Sequence, residues 1–298
     1  MDRVVPEVCL GCVTFGREIR EDDSHRVLDY AFERGIRFFD TAEAYGGGAS
    51  ERVLGNWIRS RGVVREVTVA TKALRNFTAS HLPESLAASL ERLHLDSVDI
   101  YFLHQPDPAV PLEETIDTLA TLRNAGLLRR AGTSNFPLSL LEKAERLADL
   151  GAGVRLDITQ PNYNLAVRGI EGPFLEFCRQ RSVEIVTYSP LGAGFLTGKY
   201  TSGADAPLGT RFDVIPGHRD IYCTPENFAI VERLRQAAVR ASRTMPHLAM
   251  QWVFEASAID RVLIGARSTA HIDQAMAARQ AAIESSVDGS ARQLLEGD

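Results

Sequence analysis

The chain has 298 residues, 45% hydrophobic and 24% charged, close to soluble globular averages, which excludes disordered and fibrous classes and leaves ample material for a large core. A formal net charge of −6, with no clustered run of Lys and Arg, speaks against nucleic acid as a partner. No apolar run approaches the roughly 20 residues of a membrane helix, and the start Met1-Asp2-Arg3-Val4-Val5-Pro6 lacks the layout of a signal peptide, so a cytoplasmic location without a membrane partner is expected.

Four cysteines, Cys9, Cys12, Cys178 and Cys223, are too sparse for a disulfide framework and suit a reducing compartment. Cys9 and Cys12 form a C-x-x-C, but no second pair completes a zinc site, and no metal is expected.

The length suits one barrel of eight strand-helix units, which needs about 250 residues, and residues 1–298 are read as a single α/β domain of that (β/α)8 class. Short runs rich in Val, Ile and Phe alternate with segments of helical period, the pattern of successive βα units. Strands are predicted near Val8–Leu10, Arg37–Asp40, Val67–Thr71, Val98–Leu103, Arg129–Thr133, Asp157–Thr159, Glu184–Thr187 and Arg261–Ile264. The apolar positions Val27, Tyr30 and Ala31 mark the first helix. Further helices are predicted at Ser50–Arg61, Pro83–Leu93, Leu112–Ala125, Ser139–Leu150, Pro173–Arg181 and Pro225–Arg243. Gly62, Gly126 and Gly151 follow three of these as C-terminal glycines should, and prolines open three others in the first turn. The irregular stretch from Lys199 to Thr224 is too long for a simple connection and predicts a functional loop, and the polar tail from Glu284 predicts a loosely held end.

In a βα barrel, chemistry sits at the carboxyl ends of the strands. Here strand two ends Phe38-Phe39-Asp40-Thr41-Ala42-Glu43-Ala44-Tyr45, strand three ends Ala70-Thr71-Lys72, and strand four ends Phe102-Leu103-His104. Any one of these at a strand end is more often a solvated loop residue or a cap; their coincidence on one rim points to catalysis. A carboxylate entering an apolar rim must be paired or protonated, and Lys72 is the natural partner of Asp40. An ammonium beside a phenol lowers the phenol's pKa and makes Tyr45 a better acid toward a carbonyl oxygen gaining charge. His104 can hold that oxygen in place.

These residues resemble the aldo-keto reductases, whose catalytic tetrad is Asp, Tyr, Lys and His in that chain order. The matching stretches are Gly11-Cys12-Val13-Thr14-Phe15-Gly16, Phe39-Asp40-Thr41-Ala42-Glu43-Ala44-Tyr45-Gly46, Ser50-Glu51-Arg52-Val53-Leu54-Gly55, Leu103-His104-Gln105-Pro106-Asp107 and Gly132-Thr133-Ser134-Asn135-Phe136. The resemblance covers nearly the whole chain. It implies NADPH-dependent reduction of a small aldehyde or ketone to an alcohol, with Tyr45 as general acid, Lys72 and Asp40 as the pair that lowers its pKa, and His104 as orienting group.

The resemblance further implies that Ser134, Asn135 and Gln160 bind the nicotinamide carboxamide and that Tyr188 stacks on the ring. The Gly-rich run Ser189-Pro190-Leu191-Gly192-Ala193-Gly194-Phe195-Leu196-Thr197-Gly198-Lys199 follows a strand and can present backbone N–H groups to a pyrophosphate. Its spacing is G-x-G-x-x-x-G, in the seventh unit, which does not match a Rossmann fingerprint. In Ile264-Gly265-Ala266-Arg267-Ser268 the guanidinium and hydroxyl suit the 2′-phosphate, which favours NADPH. Gln274 falls where the family contacts adenine, with Ala275 in place of the family's frequent asparagine. The family usually opens with a hairpin that plugs the barrel floor; few residues precede the first strand here, so a shortened or absent plug is expected.

Pocket walls are predicted from Phe15, Tyr45, Trp57, Phe77, His104 and Phe136, with a fairly open pocket because the tail carries no aromatic residue. Monomer and homo-oligomer remain open. Two rivals are a non-catalytic NADPH-binding regulatory subunit, since one branch of the family partners potassium channels, and a metal-dependent barrel hydrolase. The scattered histidines, with no H-x-H or H-E-x-x-H, argue against the second.

Overall fold

A computed structural model describes residues 5–151, 153–285 and 290–296. Eight parallel strands close into a barrel in sequential order: β1 (Glu7–Gly11), β2 (Phe38–Asp40), β3 (Thr68–Ala73), β4 (Val98–Leu103), β5 (Leu128–Ser134), β6 (Leu156–Gln160), β7 (Glu184–Tyr188) and β8 (Arg261–Gly265). Closure comes from β1 pairing with β8, Leu10 opposite Ile264. The predicted (β/α)8 fold is the observed one.

The helices are α1 (Glu21–Glu33), α2 (Ala49–Arg61), α3 (His81–Leu93), α4 (Leu112–Asn124), α5 (Leu138–Asp149), α6 (Pro173–Arg181), α7 (Arg211–Val214), α8 (His218–Tyr222), α9 (Pro225–Arg240), α10 (Met245–Phe254), α11 (Thr269–Glu284) and α12 (Ala291–Glu296). Their starts and stops have local causes. Thr224 and Thr244 cap α9 and α10 by accepting from Asn227 N and His247 N. Gly62 ends α2 in the left-handed conformation at φ 69°. No helix among the described residues is long and apolar enough to cross a membrane.

Two cores result from strand alternation, in which successive side chains point to opposite faces. Cys9, Phe38, Ala70, Ile100, Phe102, Ile158, Val186 and Leu263 fill the barrel interior. Their sequence neighbours Leu10, Phe39, Val69, Tyr101 and Leu103 join the larger core between strands and helices. At the amino ends of the strands a polar layer follows: Arg130 binds Asp157 at 2.9 Å and Glu184 at 2.6 Å, and Arg261 binds Glu7 at 3.1 Å. The residues of the expected plug, 1–4, lie outside the described residues.

The predicted loop from Lys199 to Thr224 contains α7 and α8 and is anchored by stacked aromatics. Tyr200 lies 4.0 Å from Phe212, and Phe195 lies 6.3 Å from Phe212 and 5.9 Å from Tyr222. The carboxyl-terminal stretch is partly docked rather than loose: the Glu255 carboxylate accepts from Ala291 N and Arg292 N, both at 3.0 Å. Residues 286–289 and 297–298 of that tail lie outside the described residues.

Candidate active site

The alternation that builds the interior core also builds the site. Two residues beyond Phe38, Ala70, Phe102, Gly132, Ile158 and Val186, on the same inward face, stand Asp40, Lys72, His104, Ser134, Gln160 and Tyr188. The apolar plug thus ends in a ring of polar groups at the carboxyl rim. Gly132 keeps the plug tight, since a Cβ there would lie 2.6 Å from both Ile158 and Phe102 side chains.

Lys72 is fully buried and spends its three protons on three acceptors: the Asp40 carboxylate, the Thr41 carbonyl at 2.7 Å and the Tyr45 hydroxyl at 3.4 Å. Gln160 donates to the other Asp40 oxygen at 2.9 Å, so the buried carboxylate is bound on both sides. Burial pulls the Lys72 pKa down, but the Asp40 carboxylate and the hydrogen bonds to Asp40 and Tyr45 outweigh it and hold that pKa above the ordinary lysine value. Tyr45 leaves the barrel at the end of the β2 segment and is followed by Gly46, Gly47 and Gly48, with φ of 60°, 59° and 82°. That left-handed turn returns the chain at once to α2, and only glycine adopts it without cost.

Burial raises the Tyr45 pKa above 10, and Lys72 opposes that rise without overcoming it. The sequence-based expectation of a lowered value is therefore corrected: desolvation of the phenol outweighs the ammonium. At neutral pH the phenol holds its proton. The His104 ring lies 5.6 Å from the Tyr45 ring at 80°, and its pKa is pushed down to about 3 by burial and by Lys72, so the imidazole is neutral. Its Nδ1 is buried and has no partner among the described residues.

Beside this cluster opens a cleft of about 500 Å³, lined by Asp40, Tyr45, His104, Ser134, Asn135, Gln160, Tyr188, Ser189, Leu191, Gly194, Lys199, Gly265, Arg267 and Gln274 among others. A hydrogen-bond chain fixes its near wall: Ser134 Oγ donates to Gln160 O at 2.9 Å, Asn135 Nδ2 to His104 O at 3.1 Å, and Tyr188 OH to Asn135 Oδ1 at 2.7 Å. At the far end Lys199, Arg267 and His271 line the same cleft. Among the described residues neither Lys199 nor Arg267 has an ion-pair partner. Burial and the neighbouring Arg267 lower the Lys199 pKa, the sign of cations gathered without an anion. Such a cleft, hydrogen-bonding at one end and cationic at the other, fits a long phosphorylated ligand.

A model of the Aldo/keto reductase family matches residues 7–292. The chain belongs to that family. It is 30% identical over 284 residues to the "Probable voltage-gated potassium channel subunit beta" of Arabidopsis thaliana, covering 89% of this chain and 84% of that protein. It is 31% identical over 266 residues to "Aldo-keto reductase YhdN" of Bacillus subtilis (strain 168), covering 85% of this chain and 77% of that one. The matched span takes in all eight strands. Membership brings the general chemistry of oxidoreduction.

In this member of the family the predicted aromatic walls lie elsewhere. Phe15, Trp57, Phe77 and Phe136, at 0%, 1%, 2% and 5% exposure, are core residues and do not line the cleft. Trp57 packs against the outer side of the barrel, 5.2 Å from Phe39, with its indole N–H on Asp29 at 2.7 Å. Gly192 is also buried and outside the lining, while the Gly-rich run around it contributes Ser189, Leu191 and Gly194. The outer wall comes instead from the segment from Lys199 to Thr224, through Thr210, Arg211, Val214 and His218, and from Glu18 in the loop after β1. Arg211 pairs with Glu18 at 3.0 Å across the mouth. The sequence marks this wall only by an arginine in an overlong loop, because α7 and α8, at four and five residues, are too short to announce themselves as helices.

Proposed function

We propose that the chain reduces an aldehyde or ketone to an alcohol, with NADPH as hydride donor and Tyr45 as proton donor. The observation that carries this is the Tyr45 hydroxyl bound to a fully buried Lys72–Asp40 pair, at the edge of a cleft whose other end gathers cations. Ser134, Asn135, Gln160 and Tyr188 would hold the nicotinamide end. Lys199, Arg267 and Gln274, with the backbone of Ser189–Gly194, would hold phosphates and adenosine. When bound, NADPH supplies the hydride.

The protein's own groups do the rest. A carbonyl oxygen gaining negative charge beside Tyr45 takes the phenolic proton. Lys72, already bonded to that hydroxyl, stabilises the phenolate left behind, and Asp40 keeps Lys72 charged and in place. His104, neutral, donates an N–H to the same oxygen without competing for the proton.

Titration of NADPH fluorescence with the purified protein, then loss of reduced-nicotinamide absorbance on adding 4-nitrobenzaldehyde, tests this. Binding with turnover supports the reductase. A second reading, a non-catalytic NADPH-binding regulatory subunit, draws support from the likeness to a protein named as a channel subunit; binding without turnover of any aldehyde would favour it. No binding would refute both.

A further inference from the structure

The far end of the cleft contains a group that can change charge near neutral pH. His271 stands in the first turn of α11, three residues after Ser268, and lines the cleft together with Arg267 and Lys199. Its Nδ1 lies 3.0 Å from the Ser268 hydroxyl, which leaves Nε2 as the nitrogen open to a ligand. The charged groups that face it are Arg267 from the end of β8 and Lys199 from the segment after β7. The nearby Asp273 on its own helix is engaged by Tyr30 and Arg34. In the free protein, burial together with those two cations lowers the His271 pKa below 6.5, so the ring is neutral at neutral pH.

We propose that His271 takes up a proton when the 2′-phosphate of NADPH enters this end of the cleft, so that preference for the phosphorylated dinucleotide strengthens as pH falls. The inference rests on the NADPH reading above. A phosphate dianion set among Arg267, Lys199 and His271 reverses the local field. The two cations that repel an imidazolium are neutralised, and the added negative charge favours it. The step is a proton transfer from solvent to Nε2, with the electrons of the ring unchanged. A chain built to bind NADH would gain nothing from a third positive group here.

The sign follows from linkage. A group whose pKa is raised by the ligand gives its full contribution below the free pKa and loses it as pH rises through the bound one. The phosphate itself becomes a dianion above a pKa of about 6, so the histidine's share is read from pH 6.5 upward. There the NADPH Kd should rise with pH, up to about tenfold per unit between the two pKa values.

The experiment is fluorescence titration of NADPH and NADH between pH 6.5 and 8.5 at fixed ionic strength, on the wild type and His271→Gln. Calorimetry in two buffers of different ionisation enthalpy counts the protons taken up. The expected result is an NADPH Kd that rises at least threefold in the wild type, with proton uptake, and stays flat in the variant, while the NADH Kd is flat in both. The same slope for NADH, the same slope in His271→Gln, or no slope at all would overturn the proposal. Failure of both dinucleotides to bind would overturn the cofactor reading itself and this inference with it.

Discussion

Replacing Lys72 by Met isolates what the buried ion pair contributes. The methionine fills the space of the aliphatic stem but leaves Asp40, 2% exposed, with Gln160 as its remaining donor, and strands the Thr41 carbonyl. Breaking a buried pair by removing one partner costs about 3–5 kcal/mol, because the other charge stays behind. Removing both charges costs far less, so Lys72→Met with Asp40→Asn should recover about 2 kcal/mol or more relative to the single variant. Urea unfolding at pH 8, followed by Trp57 and Trp252 fluorescence, measures both losses. A single variant within 1 kcal/mol of wild type at pH 8, or a double variant no better than the single, as order-of-magnitude limits, would refute the reasoning.

Tyr45→Phe should abolish most turnover while changing the NADPH Kd by less than about twofold, because the lost hydroxyl acts in the transition state; weakened binding with normal kcat would contradict its assignment as acid. His104→Gln should flatten part of the acid loss of stability. The wild-type ring, with a folded pKa near 3, binds fewer protons than the unfolded chain below pH 6.5. Wild type should therefore lose about 1.2 kcal/mol more than the variant between pH 7 and 5.5, read from urea midpoints. Gly55→Ala should lower Tm despite alanine's helix advantage of about 1 kcal/mol. The new Cβ would lie 2.5 Å from the Leu93 carbonyl oxygen, a backbone atom that cannot move aside cheaply. A raised Tm would show that α2 and α3 can separate at little cost.

How far the sequence was legible depended on periodicity. Each predicted strand overlaps the observed one, with ends off by a few residues, because alternation and flanking glycines carry the signal for a barrel. The rim groups Asp40, Lys72 and His104 were legible for the same reason: each ends an apolar run. The aromatic walls were not. Phe15, Trp57, Phe77 and Phe136 lie close in sequence to the rim motifs, but proximity along the chain does not say which face a side chain takes. Trp57 belongs to the helix that packs on the barrel's outside, against Phe39. Nor does composition weigh opposing effects, as at Tyr45, where burial outweighs a neighbouring ammonium. Arg211 escaped notice because it opens a four-residue helix too short to show a period, and His271 because a lone histidine carries no signal of its own even between Arg267 and Gln274, which the resemblance does pick out.

The segment from Lys199 to Thr224 that walls the cleft divides its labour residue by residue. Tyr200, Phe212 and Tyr222 are buried and, with His218 stacked on Phe212 and Tyr222, anchor the segment, while Thr210, Arg211 and Val214 between them face the cleft. Those facing positions form a cassette for directed evolution. A library confined to them leaves the anchoring stack and the barrel strands untouched, so variants should stay folded and, on the proposed reductase reading, change the range of carbonyl compounds accepted.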